Sequence, residues 1–152
     1  MRTQFVWLRV PFVLLVLSLT PHLRAQDSWE NVRGIAESQH DIVMLLIQEE
    51  RFDSVFEASR KIFELQFPPH HEHLLVKEAE ILTDALLMHD QTEIAHQVLD
   101  CALLNVSTNR SKAALHREKA YVFKKEGKTE EAMKHFQKSI ELEKGEVEPD
   151  PD

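Results

Sequence analysis

The chain has 152 residues, 43% of them hydrophobic, with 26 acidic against 18 basic side chains and a net charge of −8. That length allows one small domain, and the acidic balance argues against nucleic acid or an anionic membrane surface as the main partner. Three glycines leave no room for a glycine-rich nucleotide loop, and a single cysteine, Cys101, excludes an intrachain disulfide.

Residues 1–25 read as a secretory signal peptide. Arg2 and Arg9 form the charged start, residues 10–19 are nearly continuously apolar, and Leu23-Arg24-Ala25 is an acceptable cleavage site. The apolar stretch is shorter than the roughly 20 residues that span a bilayer. Leu23 is larger than the small residue usual at such a site, so a retained N-terminal membrane anchor is the alternative. Loss of the leader removes Arg2, Arg9 and Arg24 and no acid, leaving 15 basic against 26 acidic residues and a net charge of −11. The expected location is secreted or periplasmic.

Residues 27–47 predict a first helix. Asp27 and Glu30 have capping-box spacing, and Trp29, Val32, Ile35, Ala36, Val43 and Ile47 recur at helical intervals. Phe52, Val55, Phe56, Ile62 and Phe63 mark a second helix, with Pro68-Pro69 as its stop. Residues 71–88 form a third. Asp90 and Glu93 have capping-box spacing before a fourth, whose stripe is Ile94, Ala95, Val98, Leu99, Ala102 and Leu103. Cys101 lies in that run and reads as a small buried hydrophobe. Residues 145–152, GEVEPDPD, lack apolar pattern and read as an acidic, disordered tail.

The stretch 120–142 is the most informative. Ala120, Tyr121 and Phe123 lie on one helix, and Gly127 suits a left-handed helix stop. Thr129 is placed to cap the next helix, with Glu130 and Glu131 in its first turn. Ala132, Phe136, Ser139 and Ile140 form its apolar stripe. This segment resembles a tetratricopeptide repeat, whose 34-residue pattern is W-x2-L-G-x2-Y, then A-x3-F, then P. Ala132-x3-Phe136 matches the second-helix signature, with Gly127 at the turn. Ala120 and Phe123 stand where the family prefers glycine and tyrosine. His116, Lys119 and Lys144 depart from its tryptophan, leucine and closing proline.

Ala95-x3-Leu99 echoes the same signature 37 residues earlier, and Val55 stands another 40 residues back. The expected architecture is therefore all-α. Three antiparallel helix pairs, about 28–65, 71–104 and 111–144, would stack as a short right-handed α-solenoid. Each pair exposes an apolar face that only a neighbour can cover, and about three units are needed for stability.

Chemistry is sparse. No Ser/His/Asp order, paired-carboxylate signature or phosphate loop appears, so no enzymatic activity and no cofactor are expected. His70, Glu72 and His73 are donors of the right kind for zinc or copper, but their spacing is not H-E-x-x-H, and a solvated helix start is the simpler reading. His89, His96, His116 and His135 read as surface or interface histidines. Asn105-Val106-Ser107 and Asn109-Arg110-Ser111 both match the glycosylation triplet.

The resemblance implies a concave surface, lined by the first helix of each pair, that holds a peptide or partner helix. Aligned on Ala132, the third pair would present Arg117, Tyr121, Lys124 and Lys125. Aligned on Ala95, the second would present Lys77, Glu80, Asp84 and Leu87. The implied function is an exported scaffold binding a protein or peptide, with no nucleic acid and no membrane beyond the export signal. The alternatives are metal binding at His70–His73 and a self-assembling homo-oligomeric subunit.

Overall fold

A computed structural model describes residues 20–145, with side chains described from Ser28 onward. The stretch expected to be a leader lies outside the described residues up to position 19, and its remaining positions enter only as helical backbone. The acidic tail lies outside them after Gly145.

The described residues form six α-helices and no strand: α1 (Thr20–Gln48), α2 (Phe52–Phe63), α3 (Glu72–Met88), α4 (Thr92–Leu104), α5 (Asn109–Lys125) and α6 (Thr129–Lys144). A single 3-10 turn, Pro69–His71, precedes α3. The helices pair as hairpins, α1 with α2, α3 with α4 and α5 with α6. The hairpins succeed one another in chain order: α3 touches α1 and α5, and α4 touches α2 and α5.

One turn closes all three hairpins. Glu50, Asp90 and Gly127 each take a left-handed backbone, with φ of 55°, 58° and 77°. The next amide reaches back to an open carbonyl of the helix just ended: Arg51 N–H to Leu46 O at 2.8 Å, Gln91 N–H to Leu86 O at 2.9 Å, Lys128 N–H to Phe123 O at 2.9 Å. The left-handed residue donates to the following carbonyl, from Glu50 to Ile47, Asp90 to Leu87 and Gly127 to Lys124. This is the Schellman closure, which satisfies carbonyls a helix end leaves open.

The turn corrects several expected helix starts. Asp90 belongs to the end of α3 and does not cap α4, which opens at Thr92 behind Gln91 without a side-chain cap. Thr129 is the first residue of α6, behind Lys128, and does not cap it. Asp27 lies inside α1, which begins at Thr20, and is not at its start. Nor do the prolines stop α2. It ends at Phe63, and Pro68 and Pro69 extend the linker and start the 3-10 turn.

The core runs through the first five helices. Val43 and Ile47 of α1, Ile62 and Phe63 of α2, and Leu75 and Leu82 of α3 pack into one cluster with α4 and α5. By contrast, α6 buries only Ala132 and Ser139, and Ile140, expected in its apolar stripe, is 50% exposed. Lys119, one of the departures from the pattern that the sequence resembles, is buried, its ammonium paired with Asp100 of α4. A lysine can fill an apolar slot with its stem if its head finds a carboxylate.

Between hairpins two and three the tie is polar. Glu72, 3% exposed, receives hydrogen bonds from Ser107 N–H (2.7 Å) and Oγ–H (2.6 Å) at one oxygen. Its other oxygen receives Thr108 N–H (3.0 Å) and Oγ1–H (2.8 Å). Thr108 in turn caps α5 by accepting from Ser111 N–H at 3.2 Å. Burial alone would raise the Glu72 carboxyl, but the donors of Ser107 and Thr108 overcome it and hold the group at about 2.

Two consequences can be measured. A Cβ at position 127 meets no atom within 4 Å, so Gly127→Ala is expected to cost about 1 kcal/mol through backbone strain alone. Urea denaturation showing no loss would contradict the strain argument. Glu72→Ala is expected to cost about 2–3 kcal/mol at neutral pH, since four donors lose their acceptor. The carboxylate's contribution is present above its ordinary 4.5 and lost as pH falls towards about 2. The gap between wild type and variant therefore closes on acidification. A constant gap between pH 7 and pH 3 would rule out the charged clasp.

Candidate partner-binding clefts

Two clefts open between the first helices of successive hairpins. The larger, about 760 Å³, lies between α1 and α3. Its apolar wall includes Ala36, Ile62, Phe67, Leu74 and Ile81. At one end Trp29 stacks on His71, ring centroids 4.0 Å apart and 6° from parallel, while Phe67 meets Trp29 edge-on at 5.3 Å. Burial, with His70 and His73 adding, lowers the His71 imidazole below its usual value, so the stacked ring favours the neutral form. The rim is charged but internally matched: Arg33 donates to Glu37 at 2.8 Å, and His40 Nδ1 meets Glu78 at 2.8 Å. Lys77 lines this groove and is exposed.

The smaller cleft, about 410 Å³, lies between α3 and α5. Asp84, Leu87, Tyr121 and Lys125 all line it. Tyr121, 49% exposed, is steadied by the edge of Phe136 at 5.3 Å. The Lys125 ammonium donates to the Leu87 carbonyl at 2.9 Å, at the end of α3. Glu118 also lines the cleft. Burial, with Glu80 and Asp84 adding, raises its carboxyl above the ordinary value.

The eight residues expected on one face thus divide. Four meet in the α3/α5 cleft, Glu80 acts on it through Glu118, and Lys77 belongs to the α1/α3 groove. Arg117 is ion-paired with Glu143 of α6, and Lys124 is exposed.

The metal candidates do not converge. Glu72 turns inward to Ser107 and Thr108, so no lone pair remains for an ion shared with His70 and His73. His73 Nδ1 lies 3.2 Å from the His70 carbonyl, and His71 is stacked on Trp29. Among the described residues, no group of three or more His, Cys, Asp or Glu side chains could hold a metal ion. The glycosylation triplets are occupied by structural bonds: Ser107 serves Glu72, Ser111 is buried, and Asn105 donates to Cys101 O at 2.9 Å. Cys101 is buried, and burial pushes its thiol up, which suits a structural residue.

The remaining histidines sit at helix interfaces. His96 Nε2 meets Glu126 at 2.8 Å, and His89 lies against Phe52. His116 of α5 and His135 of α6 face each other through Nδ1 atoms 3.0 Å apart. Burial, then Lys119 and His116, lowers His135 to about 4 from an ordinary 6.5. Across that window the unfolded chain takes up a proton that the folded chain refuses. The stability contributed by neutral His135 is therefore present above pH 6.5 and lost as pH falls towards 4. Melting temperatures are expected to decline from pH 7 to pH 4, and less steeply in His135→Asn. Equal slopes would place the titration elsewhere.

No helix among the described residues is long and apolar enough to cross a membrane. No family model matches the chain, and neither a curated protein nor a solved structure matches it.

Proposed function

We propose that this chain is an exported, tetratricopeptide-like adaptor that holds a segment of another protein on the face formed by α1, α3 and α5, without chemistry of its own. The observation that carries this reading is the α1/α3 groove, apolar in its wall and charged at its rim, with the α3/α5 cleft beside it. Such a combination suits a polypeptide segment: apolar side chains anchor in the groove and the rim sets orientation. Two further features support the family reading. The hairpin turns at Glu50, Asp90 and Gly127 recur at the same offsets as Val55, Ala95 and Ala132, and all three of those residues are buried. Stacking three such pairs in one sense would give the right-handed superhelix of the family.

A second reading has one observation in its favour. Ile35, Ile42 and Leu45 are exposed along one side of α1. A self-assembling subunit would cover such a stripe with a second copy. Light scattering over a concentration series separates the two.

The adaptor reading is tested by panning a displayed peptide library on the full chain and measuring enriched peptides by fluorescence anisotropy. Ile81→Asp with Lys77→Glu is expected to weaken binding at least about tenfold, since one buried charge in an apolar anchor site is worth more than 1.4 kcal/mol. Its melting temperature should stay near wild type, because both side chains are exposed. Enrichment no better than on the double variant would remove the groove from the function.

A further inference from the structure

The α3/α5 cleft is lined by two acids, Asp84 and Glu118, that the described chain leaves without partners, and Glu80 stands beside it and acts on Glu118. Glu80 and Asp84 lie one turn apart on α3, and Glu118 stands on α5 across from them. None of these carboxylates accepts a hydrogen bond or joins an ion pair among the described residues. The cation in the cleft, Lys125, is held by the Leu87 carbonyl at 2.9 Å. Arg117, next to Glu118 in sequence, is paired with Glu143.

A second observation comes from the opposite kind of group. Thr83 lines the same cleft at 1% exposure, and its hydroxyl is buried without a hydrogen-bond partner. Buried polar atoms are nearly always satisfied, so an orphaned one beside a cleft points to a missing partner. The walls complete the picture: Leu87, Tyr121 and Val122 offer apolar surface, with the Tyr121 ring fixed by Phe136.

These features select the occupant. Clustered acids alone would also suit a metal ion. Here the described carboxylates do not gather closely enough to hold one. What fits is an elongated organic cation with an alkyl stem and several donors. A guanidinium has five N–H donors in a planar fork and stacks on aromatic rings, whereas an ammonium is a compact point charge. The volume of about 410 Å³ leaves ample room for one such side chain.

We propose that the α3/α5 cleft receives a basic side chain of the bound polypeptide, arginine in preference to lysine, with Thr83, Asp84 and Glu118 around the guanidinium and Leu87, Tyr121 and Val122 along its stem. The source of that side chain rests on the adaptor reading; the chemistry of the cleft does not. A cation there neutralises the mutual repulsion of Glu80, Asp84 and Glu118 and gives the Thr83 hydroxyl a donor.

The test uses the full chain and a defined probe, arginine capped at both ends as N-acetyl-arginine methylamide. Its neutral isostere, capped citrulline, is the control. Amide chemical shifts of Thr83, Glu118 and Tyr121 are expected to move saturably with capped arginine and not with citrulline. The response should weaken with added salt and fall at least about threefold in affinity in Glu118→Gln. That variant should melt at or above the wild-type temperature, because it removes a half-buried charge without a partner. Equal response to citrulline, or an affinity unchanged by Glu118→Gln, would overturn the proposal. So would shifts confined to the α1/α3 groove. If capped arginine binds as expected but no displayed peptide binds the chain, the cleft chemistry stands and the adaptor reading falls. If peptides bind the α1/α3 groove and ignore both Glu118→Gln and capped arginine, the adaptor reading stands and the cleft proposal falls.

Discussion

A buried carboxylate is tolerable only when its lone pairs are filled, and Glu72 organises the middle of this molecule under that constraint. Its two oxygens take both backbone amides and both hydroxyls of Ser107 and Thr108. The start of α3 is thereby tied to the start of α5, and Thr108 is left oriented to cap α5. Both clefts have α3 as one wall. Their shape therefore depends on a bond network that lies in neither of them. The same network removes Glu72 from any metal chemistry with its histidine neighbours.

The hairpin turns show how a backbone requirement is met by different residues. The left-handed position is filled by glycine only at Gly127; Glu50 and Asp90 adopt it against a steric cost of about 1–2 kcal/mol. Packing of each helix pair and two returning hydrogen bonds outweigh that cost. This explains what could be read in advance and what could not. Gly127 announced its turn by residue type, and the helical periodicities announced six helices. Asp90 and Thr129, by contrast, look like helix caps because aspartate and threonine are good ones. Their actual places follow from the turn closing the preceding helix, which is a tertiary matter.

The candidate site was legible to a similar extent. Aligning helices on Ala95 and Ala132 groups Asp84, Leu87, Tyr121 and Lys125 on one face, and all four line one cleft. Arg117 carried the same signal but is taken by Glu143, a partner 26 positions along the chain that no local pattern marks. The α1/α3 groove was missed. Its Trp29–His71 stack joins residues of two hairpins across the Pro68-Pro69 linker, and the linker's path is not readable from composition. Thr83 gave no signal, because a threonine on the buried side of a helix resembles any small core residue until its hydroxyl is seen unpaired.

Order is unevenly distributed along the stack. With only Ala132 and Ser139 buried, α6 has less burial holding it than α2, α3, α4 or α5, so its local opening costs less than theirs. Yet α6 supplies Phe136, the ring that steadies Tyr121. The wall of the α3/α5 cleft is therefore only as rigid as the docking of the last helix. An occupant that grips Tyr121 draws on that fraying equilibrium and slows amide exchange in a helix it never touches.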